Sequence, residues 1–415
     1  VRTLAVALTD ETRRFERGYP PKGAWLFLTP NIEISRLAQL AADDDILTYL
    51  DLRTAPLEFE GAPQLVLLHV DFEQEAVARD AVRELARRKL PGLCFGPQVT
   101  AWAENPPEWL PNRVIGDIAQ VWPAIRSDTL AGGLRPCYRA SNRPLYHPPR
   151  RPFGRWPEMN TLIQTMRFAV GCCCPAAVAP WCPDRLYYGS NRLLRRRDEI
   201  IGEILSLPGK RIRLLDEDVA AEPDYYEDIF RHAWNYRRQW TVQAGAGLFR
   251  HPRLVRLLAK SGVRVLFLNE SLLEGNLERA AADPRLLRQL YRRVKTLHAA
   301  RMLAGAKVVI RYDPDHPPDF DALADVLCRI DLDLVEPRFL VPDGQGGWRP
   351  KGFSYRPMLT NREPGWLGNR FYAIGAILNR LARRPRRAGF YTTARYLLPH
   401  SLAYRQNFLE GLPGT

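Results

Sequence analysis

Two successive series of buried strands and amphipathic helices predict an α/β protein: a doubly wound parallel sheet, then an open (β/α)6 barrel, then a small helical extension. Three observations carry the prediction. Short apolar runs alternate with stretches of helical period from the first residues onward. A break dense in Pro and Arg falls at residues 136–160. The alternation then resumes through six strand–helix units with no signal for an antiparallel hairpin.

In the first series the predicted strands are Thr3–Thr9, Ile46–Leu52, Leu65–Val70, Gly92–Phe95 and Arg113–Gly116. Each is a near-continuous apolar run, the pattern of a strand covered on both faces. Helices are predicted at Ile32–Ala42, Glu73–Arg88 and Ala119–Ala131; from Glu75 the apolar residues recur at helical spacing with charges opposite. Residues 1–135 are thus expected to form one domain. The stretch Arg143-Pro-Leu-Tyr-His-Pro-Pro-Arg-Arg-Pro-Phe-Gly-Arg-Trp-Pro continues neither a helix nor a central strand, so 136–160 reads as a linker.

The second series, residues 161–345, has predicted strands at Thr165–Val170, Ile212–Asp216, Trp240–Ala244, Val263–Asn269, Lys307–Tyr312 and Leu334–Leu340. Helices fall between them at Arg197–Leu207, Asp224–Tyr236, Pro252–Lys260, Pro284–Met302 and Asp319–Ile330. Residues 346–415 carry the basic amphipathic stretch Phe371–Arg387 and read as a helical extension capping the barrel.

Composition narrows the function classes. The 415 residues are 46% hydrophobic and 26% charged, which excludes a disordered or coiled-coil chain. The formal charge is +14, and 53 of the 60 basic residues are Arg, a fork suited to phosphates and carboxylates. The basic runs lie on no recognised nucleic-acid fold and read as solvated surface. No apolar run reaches the ~18–20 residues that span a bilayer, and the start of the sequence reads as a buried strand rather than a signal segment. Seven Cys in a chain this long do not make a disulfide scaffold, so a reducing, cytoplasmic setting is expected.

Four of those Cys fall in one segment: Phe168-Ala-Val-Gly-Cys172-Cys173-Cys174-Pro175, then Trp181-Cys182-Pro183. Thiolates converging from a loop are the chemistry of iron–sulfur clusters and zinc. Cys172, Cys173, Cys174 and Cys182 are the candidate metal ligands.

Gly-Cys, Cys-Pro and aromatic-Cys after the first strand of a partial barrel resemble the cluster loop of radical S-adenosylmethionine enzymes. Tyr187-Tyr188-Gly189 followed by Arg195-Arg196-Arg197 is similar to the stretch leading into that family's first barrel helix. Leu214-Leu215-Asp216-Glu217-Asp218 resembles its second strand end, and the segment from Lys260 to Glu270-Ser271 its fourth strand. Phe95-Gly96-Pro97-Gln98-Val99-Thr100-Ala101 and Val114-Ile115-Gly116-Asp117, with Trp122, Gly132 and Tyr138, resemble the turn, closing segment and linker of that family's cobalamin-binding branch. The resemblance runs over residues 1–345.

The resemblance implies a cobalamin-binding Rossmann-type sheet and a radical-type partial (β/α)6 barrel. It implies cobalamin, a [4Fe-4S] cluster and S-adenosylmethionine as cofactors, and methyl transfer to a small-molecule or peptide substrate, with an external electron donor. Cofactor contacts carry over to the strand ends at Val70, Asp71, Gly96, Pro97, Gln98, Val99, Thr100, Gly116 and Asp117, and to Asp216, Gln243, Glu270 and Arg311. No acid or base for catalysis is assigned.

The chain also departs from the pattern. The family spacing is Cys-x3-Cys-x2-Cys; with Cys174 and Cys182 as its ends, the middle position is Ala or Val. Cys172 or Cys173 then supplies the third ligand, or the cluster is altered or absent. In the fifth strand Arg311 and Tyr312 stand where small residues usually admit the adenine, and would intrude there or contact a different ligand. No Asp-x-His-x-x-Gly offers a lower cobalamin ligand, and His69 reads as a strand-end core residue. These departures leave two function classes: a methyltransferase, by radical or polar transfer, and a non-catalytic or regulatory cobalamin-binding descendant.

Overall fold

The computed structural model describes residues 1–8, 31–52, 57–59, 61–72, 74–148, 164–172, 182–207, 209–269, 276–313, 315–316, 318–342 and 348–351. The chain divides into two units, Val1–Arg195 and Arg196–Thr415.

The first unit is built on strands β1 (Arg2–Ala7), β2 (Ile46–Asp51), β3 (Leu65–His69), β4 (Gly92–Phe95), β5 (Arg113–Ile115) and β6 (Cys137–Arg139). They form one sheet in the order β2-β1-β3-β4-β5-β6, every pairing parallel. The order reverses between β1 and β3, where a doubly wound sheet opens a crevice at its carboxyl edge.

Helices α1 (Ile32–Leu40), α2 (Glu75–Arg87), the short α3 (Pro97–Ala101) and α4 (Ile118–Leu130) cover the sheet. Alternating side chains sort onto its two faces, as a pleated strand requires. Ala5, Leu67, Phe95 and Val114 pack with Ile34 and Leu37 of α1 and Trp122 and Ile125 of α4. Val6, Leu68 and Cys94 pack oppositely with Ala78, Ala81 and Leu85 of α2 and Val99 of α3. Asn31 caps α1, accepting from the Glu33 and Ile34 amides at 3.0 and 3.1 Å.

The same unit holds β7 (Gln164–Met166), β8 (Ala169–Val170), helix α5 (Pro183–Tyr188) and β9 (Leu193–Leu194). β8 and β9 pair antiparallel, Ala169 opposite Leu194 and Val170 opposite Leu193. This ladder closes the base of the segment that carries the cysteines.

In the second unit β10 (Arg211–Leu214), β11 (Gln239–Ala244), β12 (Val263–Leu268), β13 (Leu303–Arg311) and β14 (Leu334–Pro342) run parallel in sequence order. Between them lie α6 (Arg197–Ser206) before β10, α7 (Pro223–Ala233), α8 (Pro252–Lys260), α9 (Asn276–Ala282), α10 (Pro284–Ala299) and α11 (Phe320–Arg329). β15 (Trp348–Lys351) pairs antiparallel with β14. At the amino ends of β13 and β14, His298 Nε2 and the Ala304 amide lie 2.9 and 2.8 Å from the buried Asp333 Oδ2.

The predicted series is present with three differences. Two antiparallel pairs occur where none is expected, because β8, β9 and β15 are too short to show alternation. β6 lies among residues read as linker and supplies the sixth strand of the first sheet. The predicted strand Thr165–Val170 is divided into β7 and β8. Of the extension expected to be helical over 346–415, residues 348–351 form the strand β15 instead, and residues from 352 on fall outside the described residues.

Candidate functional site

The first cluster of candidates crowns the carboxyl edge of the first sheet. Val70 is buried; its amide donates to the Phe95 carbonyl at 2.8 Å and its carbonyl accepts the Gln98 amide at 3.2 Å. Gly96 holds φ +117, and a Cβ there would lie 2.6 Å from the Val70 oxygen, so only glycine makes this turn. Pro97 then opens α3, in which Val99 faces the core and the Thr100 hydroxyl accepts the Gly116 amide at 3.0 Å. Val70, Gly96–Thr100 and Gly116 are therefore brought together at one edge of the sheet. Asp71 is exposed and accepts the Phe72 amide at 2.8 Å, forming the turn into α2.

Asp117 is placed differently from a ligand-facing acid. Its Oδ1 accepts the Ala119 amide at 3.0 Å, capping α4. Its Oδ2 accepts Arg36 Nη2 at 2.8 Å and the Tyr188 hydroxyl at 2.6 Å, all three side chains being buried. Arg36 Nη2 also reaches the Leu145 carbonyl at 3.1 Å. Burial alone would lower the Arg36 pKa, but Asp117 and Tyr188 outweigh it and the net shift is upward. Burial, then the Asp117 charge, pushes the Tyr188 hydroxyl up.

Beside this group, the Tyr187 hydroxyl donates to both Glu33 oxygens at 3.0 Å. His69 Nε2 lies 3.5 Å from Glu33 Oε1, and the His69 ring meets Phe95 edge-on at 5.2 Å. Burial, then Glu33, pushes the Tyr187 pKa well above its ordinary value.

The cysteine segment starts at Gly171, whose φ of +101 and approach to the Asn191 carbonyl leave no room for a Cβ. Cys172 is half-buried and Cys182, which precedes α5, is buried. Their Sγ atoms lie within 4.8 Å of one another. Cys173 and Cys174 fall outside the described residues. Two thiols at that separation fit a thiophilic metal or iron–sulfur group, whose irons take cysteine sulfur.

At the carboxyl edge of the second unit Asp216 is buried, and its Oδ2 accepts the Tyr226 hydroxyl at 2.7 Å. Gln243 is buried near the end of β11, and its carbonyl accepts the Val219 amide at 3.0 Å. Asp218, not among the predicted contacts, accepts the Gly245 and Ala220 amides at 2.9 and 2.8 Å. Asp216, Gln243 and Asp218 thus shape one stretch of that edge. Arg311 ends β13 exposed, while Tyr312 is buried and stacks on Phe320 at 6.2 Å. Glu270 lies outside the described residues.

Sequence reasoning gave no site role to Arg36, Glu33, Tyr187 or Tyr188. The available signal was helix geometry: Glu33 and Arg36 are spaced i, i+3 on α1 beside the buried Ile34 and Leu37.

The fold is similar to those of two solved cobalamin-dependent radical S-adenosylmethionine enzymes, and the resemblance read from the sequence holds at that level. No family model matches the chain. The radical S-adenosylmethionine methyltransferase TsrM from Kitasatospora setae, solved with cobalamin and a [4Fe-4S] cluster, is similar at a TM-score of 0.54 and 14% identity. That match covers 82% of this chain and 72% of TsrM. OxsB, a cobalamin-dependent S-adenosylmethionine radical enzyme solved with aqua-cobalamin and S-adenosylmethionine, is similar at a TM-score of 0.52 and 12% identity. It is matched over 83% of this chain and 53% of its own. In sequence, the bacteriochlorophyllide d C-12(1)-methyltransferase of Chlorobaculum tepidum is 20% identical over 331 residues, 75% of this chain and 71% of the relative.

Proposed function

We propose that this chain is a cobalamin-dependent methyltransferase of the radical S-adenosylmethionine type, acting on a small-molecule or peptide substrate. The observation that carries the reading is the convergence of Cys172 and Cys182 within 4.8 Å, in a chain with this fold. Cys172 and Cys182 would be two ligands of the cluster, with Cys173 or Cys174 the third. When bound, cobalamin carries the methyl group, and the cluster offers an iron for the amino and carboxylate groups of S-adenosylmethionine.

The chain's own part is to bind, orient and exclude water. The crest formed by Val70, Gly96–Thr100 and Gly116 presents little side-chain bulk to a flat ligand on the first sheet. The Asp71 carboxylate stands exposed on the same edge. On the second unit the buried Gln243 and the strand end at Arg311 are the groups offered to S-adenosylmethionine. Asp216 acts through Tyr226, and Asp117 through Arg36 and Tyr188, so neither is offered as the acid or base of transfer.

Protein purified without oxygen should contain iron, acid-labile sulfide and cobalt. Cys182→Ala should lose most of the iron while keeping cobalt. Protein that binds cobalt but takes up no iron would overturn the methyltransferase reading in favour of a non-catalytic cobalamin-binding protein.

A further inference from the structure

We infer that Tyr188 is a positioning residue for the cysteine segment, latching the helix that follows Cys182 onto the first sheet through Asp117 and Arg36. α5 has six residues, too short to be stable alone in water, so what holds it also sets where Cys182 sits. The Cys182 carbonyl accepts the Arg185 and Leu186 amides at 3.0 Å each, making Cys182 part of the first turn. Its position follows the helix as a rigid attachment.

Besides the apolar cluster of Val170, Tyr187, Tyr188 and Leu186, polar side-chain contacts tie that helix down. Tyr188 donates to Asp117 at 2.6 Å, Tyr187 donates to Glu33, and Asp184 pairs with Arg167 at 2.5 Å. Below them, Arg195 donates to the Arg167 carbonyl at 2.6 Å, and its guanidinium lies 3.7 Å over the Tyr146 ring. All three contacts involve a carboxylate, and the Tyr188 contact differs from the others in being wholly buried. A hydrocarbon contact would hold the helix with less desolvation but with no preferred direction, whereas a hydroxyl on a buried carboxylate fixes distance and angle. Asp117 in turn caps α4 and holds Arg36 of α1, so the latch is anchored in two helices of the sheet domain.

The inference rests on the reading that this segment holds a cluster, and its test separates the two. In the full-length, cluster-free protein, Tyr188→Phe removes one hydroxyl and keeps the Arg36–Asp117 pair. Iodoacetamide labelling, mapped by peptide, should be about tenfold or more faster at Cys182 and unchanged at Cys94, which is buried in the sheet core. Tyr138→Phe is the control: it removes another hydroxyl on a carboxylate, Asp128 at 2.8 Å, away from the latch. It should leave Cys182 unchanged.

Equal labelling of Cys182 in Tyr188→Phe and the parent would overturn the inference. So would a parallel rise at Cys94, the mark of general loosening. In protein reconstituted with ferrous iron and sulfide, Tyr188→Phe should alter the electron paramagnetic resonance line shape of the reduced cluster, and Tyr138→Phe should not. An unaltered signal would overturn the role of the latch in cluster geometry. A parent protein that takes up no iron overturns the cluster reading instead, while the labelling still decides whether Tyr188 positions Cys182.

Discussion

At the residue scale, the chemistry is set by which polar groups keep their valences for ligands and which spend them inside the protein. Asp117 spends its carboxylate on Arg36, Tyr188 and the Ala119 amide. Removing one partner of such a buried pair leaves an uncompensated charge, so Asp117→Ala should destabilise the protein by about 3–5 kcal/mol in denaturant unfolding, and Asp117→Asn by less. The thiols divide in the same way. Burial pushes Cys94 up to about 12, so at pH 8 iodoacetamide should spare it while modifying the exposed Cys328 in the native protein. The candidate cysteine ligands were legible because thiols crowd one segment. Asp117 was legible as important but not in its role, because Arg36 is 81 residues away on a helix whose sequence reads as an ordinary amphipathic face.

At the element scale, long apolar runs and full helical periods were readable. Gly92–Phe95 and Pro252–Lys260 fall where the sequence predicts them. α3, α5, β6 and β9 were not, because two to six residues carry too little period to stand above the background. These short elements are the ones that shape the site. The turn at Gly96 is the most exposed to substitution: Gly96→Ala would place a methyl 2.6 Å from the Val70 carbonyl in a backbone region L residues avoid. It should cost at least ~1–3 kcal/mol, seen as a lower denaturant midpoint with unchanged slope.

For the whole molecule, the tyrosine pair predicts sensitivity to alkali. The folded pKa of Tyr187 and of Tyr188 lies above the ordinary value of 10, so each stays protonated where the unfolded chain has lost its proton. Their contribution is fully present below pH 10 and falls as pH rises beyond it, by about 1.4 kcal/mol per pH unit for each. Tyr187→Phe and Tyr188→Phe should each flatten the fall of first-unit stability above pH 10, measured by urea titration at successive pH values. The fold class itself was legible because alternation of buried strands with amphipathic helices persists through both series.

The latch also has a bearing on the order of assembly. Tyr188 meets a carboxylate 71 residues earlier in the chain, and Tyr187 one 154 residues earlier. Contacts of that separation form after local ones, and synthesis delivers the sheet residues first. The amino-terminal sheet is therefore the template on which the cysteine helix docks. On the proposed cluster reading, metal loading would wait until that edge exists to receive it.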